Sequence, residues 1–159
     1  MPRKERRNYM KACTFFGQKD GPATLETAIR SAAEFLINER DVGIFYVGDS
    51  GRFDRQVRNA LTKLGKTYPQ IEWYIVPSKP EEKTSAQKVR PCDPVMRPAE
   101  LASIPVRFAD VFRNDWLIAR SDFVIAYNPT RMGYAAQFIR KATVQGKDVL
   151  YLEEQSESM

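Results

Sequence analysis

Short apolar runs alternate with longer amphipathic segments along most of the chain. The apolar runs span residues 11–16, 42–47, 71–76, 122–127 and 147–152, a length typical of strands. Residues 23–40, 53–68, 107–121 and 132–146 carry apolar side chains at helical spacing, such as Phe53, Val57, Leu61 and Leu64. Buried strands that alternate with helices predict an α/β fold in which helices cover both faces of a parallel sheet.

One long segment interrupts the alternation. Residues 77–105 begin with Pro77 and contain five further prolines, at positions 80, 91, 94, 98 and 105. We expect a long loop or a lid, with a short helical turn in "PAELASI". The domain is otherwise predicted to be single, over residues 11–152. A basic tail precedes it (residues 1–10) and a polar tail follows it (residues 153–159).

The amino-acid composition argues against several classes of function. A chain of 159 residues with 43% apolar and 28% charged residues is typical of one soluble domain, and no apolar run is long enough to cross a membrane. The chain has no histidine, and Cys13 and Cys92 lie far apart. A structural zinc site and histidine-based acid–base catalysis are therefore not expected. The first ten residues lack the apolar stretch of a secretory signal, so we expect a cytoplasmic protein.

Charge points to a small anionic partner. Much of the net charge of +5 lies in the N-terminal tail, and the other basic residues are scattered without interleaved aromatic residues. Nucleic acid is therefore the less favoured partner and a membrane is not expected. The sequence leaves a homo-oligomer open.

Three glycine-containing loops follow predicted strands: "FFGQKDGP" (15–22), "VGDSGRFD" (47–54) and "YNPTRMGYAAQ" (127–137). Loops at the carboxyl ends of parallel strands meet at one edge of the sheet, where ligands bind in such folds. The second and third loops lead directly into helices, whose free N–H groups can bind an anion. The sequence therefore predicts that the three loops converge on a ligand.

The second loop has two interpretations. Gly48 and Gly51 would let the backbone approach a phosphate without a Cβ in the way. Alternatively, Asp49 and Ser50 form an ordinary polar turn and Asp54 caps the helix. A single Gly-x-x-Gly leaves both open, and the convergence of three loops favours ligand binding.

Taken in order, "CTFFGQKD", "FYVGDSGRFDRQVRNAL", "RFADVFRNDWLIARSDFVIAY" and "GYAAQFIRKA" resemble the SLOG superfamily, from about residue 11 to residue 152. This Rossmann-like nucleotide-binding group includes DprA-type DNA-processing proteins, "lonely guy" phosphoribohydrolases and small bacterial and phage proteins. The resemblance implies a Rossmann-like three-layer sandwich with about five mostly parallel strands. Some superfamily members resemble ligand-sensing parts of anti-phage systems.

The resemblance also implies a binding site made by the three loops. Gln18 and Lys19 stand where small members usually have histidine and arginine, so Lys19 keeps the charge and Gln18 cannot shuttle a proton. The implied ligand-binding residues are Gly17, Gln18, Lys19, Asp20, Gly48, Asp49, Ser50, Gly51, Phe53, Asp54, Asn128, Pro129, Arg131, Gly133, Tyr134 and Gln137. Arg107 and Arg113 are either phosphate contacts or solvated helix charges.

The third loop bears on catalysis. In the phosphoribohydrolases its counterpart carries a glutamate that acts at the ribose, and Gln137 stands at that position here. An amide can neither act as a base nor stabilise a developing oxocarbenium ion. We therefore expect a protein that binds a nucleotide or nucleotide-derived signal, ADP-ribose-like or cyclic, without efficient turnover, and no catalytic residue, cofactor or metal. The alternatives are a nucleotide hydrolase that uses Asp20, Asp49 or Asp54, and a DNA-binding protein of the DNA-processing type.

Overall fold

The computed structural model describes residues 10–78 and 92–153, which form a five-stranded sheet and four α-helices. The strands are β1 (Lys11–Gly17), β2 (Val42–Val47), β3 (Glu72–Ile75), β4 (Phe123–Tyr127) and β5 (Asp148–Tyr151). The helices are α1 (Leu25–Arg40), α2 (Gly51–Thr67), α3 (Ala109–Arg120) and α4 (Tyr134–Val144). Short 3₁₀ turns occupy Ala99–Leu101 and Val106–Phe108. The predicted α/β class is confirmed.

All pairings in the sheet are parallel, in the order β3-β2-β1-β4-β5. The chain runs outward from β1 to β3 and then crosses back, so that β4 lies on the other side of β1. The order of the strands therefore reverses between β1 and β4. In open α/β sheets this is the region where the loops after the strands separate and leave a crevice for a ligand.

Alternation along β1 divides the core into two layers. Phe15 faces the side covered by α1 and α2, where its ring stacks on Phe45 at 6.1 Å between centroids. Phe16 faces the opposite side, where its ring stacks on Phe138 of α4 at 5.7 Å. The helices thus lie on both faces of the sheet, as expected for a Rossmann-like sandwich.

The apolar stripe of α2 explains why this segment is a helix on this face. Phe53, Val57, Leu61 and Leu64 recur at helical spacing and are at most 3% exposed. Burial of one such side chain stabilises the fold by roughly 1.5–3 kcal/mol. The packed stripe fixes the start of α2 next to the ends of β1 and β2, where the predicted phosphate loop lies.

The proline-rich segment is described only in part. Residues 79–91 lie outside the described residues, as do the tails at 1–9 and 154–159. Further along, the Ile75 N–H donates to the Pro94 carbonyl at 2.7 Å, and the Met96 N–H donates to the Ile75 carbonyl at 2.8 Å. This bridge extends the sheet beside β3. The helical turn expected in "PAELASI" is the 3₁₀ turn at Ala99–Leu101, while the lid stays a prediction.

Within the described residues, none of the helices has both the length and the apolar character that crossing a membrane requires.

Candidate ligand-binding cleft

A cleft of about 370 Å³ opens at the carboxyl ends of β1 and β2. The loops after these strands form one wall, and α3 and the first turns of α4 form the other. Its lining residues are Phe15, Phe16, Gly17, Lys19, Gly48, Ser50, Gly51, Phe53, Asp54, Asp110, Arg113, Asn114, Leu117, Tyr134, Ala135 and Phe138. The cleft falls within the usual range for small-molecule sites, roughly 300–1,000 Å³, and combines aromatic rings with a few polar groups.

Two glycines make the floor of the cleft. A Cβ at Gly17 would lie 2.5 Å from the ring of Phe53, and a Cβ at Gly48 would lie 2.6 Å from the Asp54 carboxylate. Both positions therefore exclude any other residue unless their neighbours move. Gly17 and Gly48 are therefore required because side chains of α2 pack closely against them, whether or not a ligand is bound.

Gly51 has a different reason to be glycine. It begins α2 with φ of +83°, a conformation that other residues adopt only with strain, and its nearest neighbour across the cleft is Lys19. A Cβ there would lie 3.8 Å from the Lys19 side chain, so space is available. The exposed start of α2 and the exposed Lys19 therefore face the same part of the cleft. Free helix N–H groups and an ammonium group together favour an anion.

Arg113 ties α3 to the back of the cleft. Its side chain donates to the Val76 carbonyl just after β3 and to the Asn114 side chain, each at 2.7 Å. Its Nη1 also lies 3.4 Å from the Asp49 carboxylate, and both side chains are 6% exposed. A buried, hydrogen-bonded guanidinium of this kind holds α3 against the ends of β2 and β3.

Asp54 is the titratable group that the cleft perturbs most clearly. Its Oδ2 accepts the Ser50 N–H at 3.0 Å, across the first turn of α2. Burial raises the pKa of Asp54 to about 6, although Arg113 and the Ser50 hydrogen bond oppose the rise. The carboxylate thus caps the helix, as the alternative interpretation of the loop predicted, and it also lines the cleft.

The cleft brings together half of the residues predicted for the site. The first two loops contribute most of them, and the third loop contributes one, Tyr134, where α4 begins. They are Gly17, Lys19, Gly48, Ser50, Gly51, Phe53, Asp54 and Tyr134.

The other predicted residues of the first two loops do not line the cleft, but they contact residues next to it. Asp49 is 5% exposed and pairs with Arg113 behind the cleft. Gln18 donates to Asp20 at 2.8 Å and accepts from the Thr130 hydroxyl at 3.1 Å. Gln18 therefore links the first and third loops.

Most of the third loop does not reach the cleft. Asn128 and Arg131 line a second cavity of about 150 Å³ near the end of β5. Arg131 has φ of +58°, and its guanidinium lies 3.7 Å from the centre of the Tyr151 ring. Pro129, Gly133 and Gln137 are exposed and line neither cavity. The stacking on Tyr151 explains why Arg131 turns away from the predicted phosphate contact.

The sequence did not single out several residues of the far wall. Asp110, Asn114 and Leu117 come from α3, and Ala135 and Phe138 come from α4. The sequence leaves two roles open for Arg113, a ligand contact or a solvated helix charge. In the structure its side chain is buried and lines the cleft. The spacing of Asp110, Asn114 and Leu117 could have indicated one face of α3, but not that this face borders a cleft.

No group of three or more histidine, cysteine, aspartate or glutamate side chains that could hold a metal ion occurs within residues 10–78 and 92–153.

The fold has a counterpart among solved structures. It is similar to the X-ray structure of DNA processing protein A (DprA) from Streptococcus pneumoniae, with a TM-score of 0.62 and 14% sequence identity. The chain has a DprA-like fold. The match covers 94% of this chain and 53% of the DprA chain, so this chain spans about half the length of that protein. No family model and no curated protein sequence match it.

Proposed function

We propose that the cleft binds a nucleotide or a nucleotide-derived signal and that the protein acts as a sensor or a sequestering protein, without efficient turnover. The observation that carries the proposal is the meeting of the loops after β1 and β2 with the start of α2 at one cleft. Such a meeting offers backbone N–H groups to a phosphate.

The two ends of the cleft suit the two ends of a nucleotide. Gly51 lies near Lys19, and Gly48 and Ser50 line the same cleft; a phosphate would bind at this polar end. The rings of Tyr134 and Phe138 pack edge to face at 5.0 Å and offer apolar surface to a base or a ribose. The ligand class proposed is ADP-ribose-like or cyclic, in keeping with the SLOG resemblance of the sequence.

The identity of the ligand can be tested directly. The protein is purified from cells under mild conditions and denatured, and the released small molecules are identified by mass spectrometry. A nucleotide present in stoichiometric amount would support the proposal. Its absence, together with no calorimetric signal for AMP, ADP-ribose and cyclic nucleotides, would contradict it.

DNA binding is a second candidate, favoured by the DprA-like fold. The basic N-terminal tail and the helix starts would then contact phosphates, and affinity would fall steeply with salt. Gel shifts with single- and double-stranded oligonucleotides at two salt concentrations test this. A mobility shift that competing mononucleotides do not reverse would favour DNA over the small-molecule proposal.

Hydrolysis of a nucleotide is a third candidate, and Asp54 is the observation that favours it. A carboxyl group with a pKa of about 6 can serve as a general acid near neutral pH, and Asp54 lines the cleft. Chromatography of AMP and ADP-ribose after long incubation would detect a released base. Fast release that disappears in Asp54→Asn would make this protein an enzyme.

A further inference from the structure

The Asp54 carboxylate occupies the part of the cleft where the proposed phosphate would bind. Its Oδ2 already accepts the N–H of Ser50, one of the donors at the start of α2. The same oxygen lies 2.6 Å from where a Cβ at Gly48 would be. The hollow that Gly48 leaves open is therefore filled by an internal anion.

Among the described residues, two guanidinium groups and one further carboxylate face Asp54. Arg113 faces it from α3, but its Nη1 is engaged by the Val76 carbonyl and by Asp49. Arg58 faces it from α2 itself, and Asp49 adds a like charge from the loop after β2.

The formal charges on the rest of the cleft lining also cancel. Among the residues that the structure describes, the remaining charged groups of the lining are Lys19 from the loop after β1 and Asp110 from α3, one of each sign. A phosphate placed beside the ionised Asp54 would meet a like charge at close range in a partly buried site. Such an arrangement is strongly unfavourable unless one of the two groups is neutral.

We propose that Asp54 competes internally for the phosphate site and that an anionic ligand binds to the form of the protein in which Asp54 has taken up a proton. This inference rests on the proposed function, since it assumes that the start of α2 binds phosphate. The proton bound by Asp54 removes the like charge, and the protonated carboxyl can donate a hydrogen bond to a phosphate oxygen.

The direction of the pH dependence follows from linkage. The bound anion raises the pKa of Asp54 above its value of about 6 in the free protein. Binding then takes up a proton at neutral pH. Affinity rises as the pH falls towards about 6, by at most tenfold per pH unit for one proton, and levels off below.

Sulfate is a suitable probe, because its charge does not change over this pH range, whereas that of phosphate does. The full-length protein is titrated with sulfate between pH 5.5 and 7.5 at constant ionic strength. The amide signals of Gly48, Ser50 and Gly51 are followed by NMR. Asp54→Asn keeps the shape and an oxygen that can accept the Ser50 N–H, and Asp110→Asn makes the same change of charge elsewhere in the cleft.

We expect the affinity of the unmodified protein for sulfate to rise about tenfold or more from pH 7.5 to 5.5. Asp54→Asn should bind as tightly at pH 7.5 as the unmodified protein does at pH 5.5, with no dependence on pH. Asp110→Asn should retain the rise.

Three other results would overturn the inference: two reject the role of Asp54 alone, and the third rejects the anion site as well. If sulfate shifts these amide signals with an affinity that does not change with pH, or if Asp54→Asn binds more weakly than the unmodified protein at pH 5.5, the phosphate site stands and the role of Asp54 is rejected. If the three signals do not move in either protein at any pH, the start of α2 is not an anion site, and the proposed function fails with the inference.

Discussion

The ring of Phe53 occupies the space that any side chain at Gly17 would need, since a Cβ there would lie 2.5 Å from the ring. Phe53 is 3% exposed and belongs to the core, so the ring cannot swing into solvent without loss of packing. This contact between the end of β1 and the first turn of α2 sets the width of the cleft floor.

Gly17→Ala should therefore destabilise the protein, by about 1–3 kcal/mol, the usual range for overpacking. The matched control is Gly65→Ala, inside α2, where the new Cβ would make an ordinary contact with Trp73 at 3.7 Å. That change should stabilise the helix by up to about 1 kcal/mol. Urea unfolding measures both, and equal effects of the same sign would contradict the clash.

Gly51→Val tests whether the start of α2 binds the ligand. The variant combines strain at a φ of +83° with a branched side chain beside Lys19, and we expect it to abolish nucleotide binding. Gly146 has the same φ, no heavy atom within 4 Å of its Cβ position, and lies between α4 and β5 outside the cleft lining. Gly146→Val should therefore lose similar stability and keep its affinity. Undiminished affinity of a folded Gly51→Val protein, measured by calorimetry, would show that this turn has a structural role and does not bind the ligand.

Asp54 should make stability depend on pH in an identifiable way. Burial raises the pKa of Asp54 from its ordinary value of 3.8 to about 6 in the folded protein. The stability that the protonated form provides is therefore present below pH 4 and is lost as the pH rises through 6. Asp54→Asn should therefore gain stability relative to the unmodified protein between pH 4.5 and 7.5, by about 2 kcal/mol. Urea unfolding at three pH values measures the difference. A difference that stays constant over this range would mean that Asp54 is not perturbed.

The ion pair at the back of the cleft should matter more than one at the surface. Arg113→Met removes the donor to the Val76 carbonyl and leaves Asp49 buried without its partner, which should cost about 3–5 kcal/mol. Lys141→Met breaks a pair with Asp115 in which both side chains are nearly half exposed, and it should cost less than about 1 kcal/mol. Thermal or urea unfolding compares the two, and similar losses would indicate that Arg113 is not part of the framework.

Gln137→Glu should not create a hydrolase. The side chain is exposed on α4 and does not line the cleft, so a glutamate there cannot reach a ligand bound next to Gly48. Chromatography should show no base released from AMP or ADP-ribose by this variant, as for Gln137→Ala. Turnover gained only with the glutamate would mean that α4 moves towards the cleft when a ligand binds.

The sequence by itself predicted the architecture, because the apolar residues follow two patterns, one typical of buried strands and one typical of amphipathic helices. The near-continuous apolar runs mark the strands, of which β1, β2 and β4 are largely buried on both faces. The stripe of Phe53, Val57, Leu61 and Leu64 marks a helix that covers one face of the sheet. Parallel connection then brings the ends of the strands to one edge. That rule was enough to predict that the loops containing Gly17 and Gly48 lie together.

Only the tertiary structure decided which side chains of those loops line the cleft. Arg113 belongs to it because the Val76 carbonyl and Asp49, from distant parts of the chain, fix its guanidinium there. Arg131 does not, because it stacks on Tyr151 of β5. Asp54 titrates near pH 6 because burial outweighs its cationic neighbours. Contacts between residues far apart in sequence leave no periodic pattern in a single sequence. These contacts determine where each side chain points and which charge it carries.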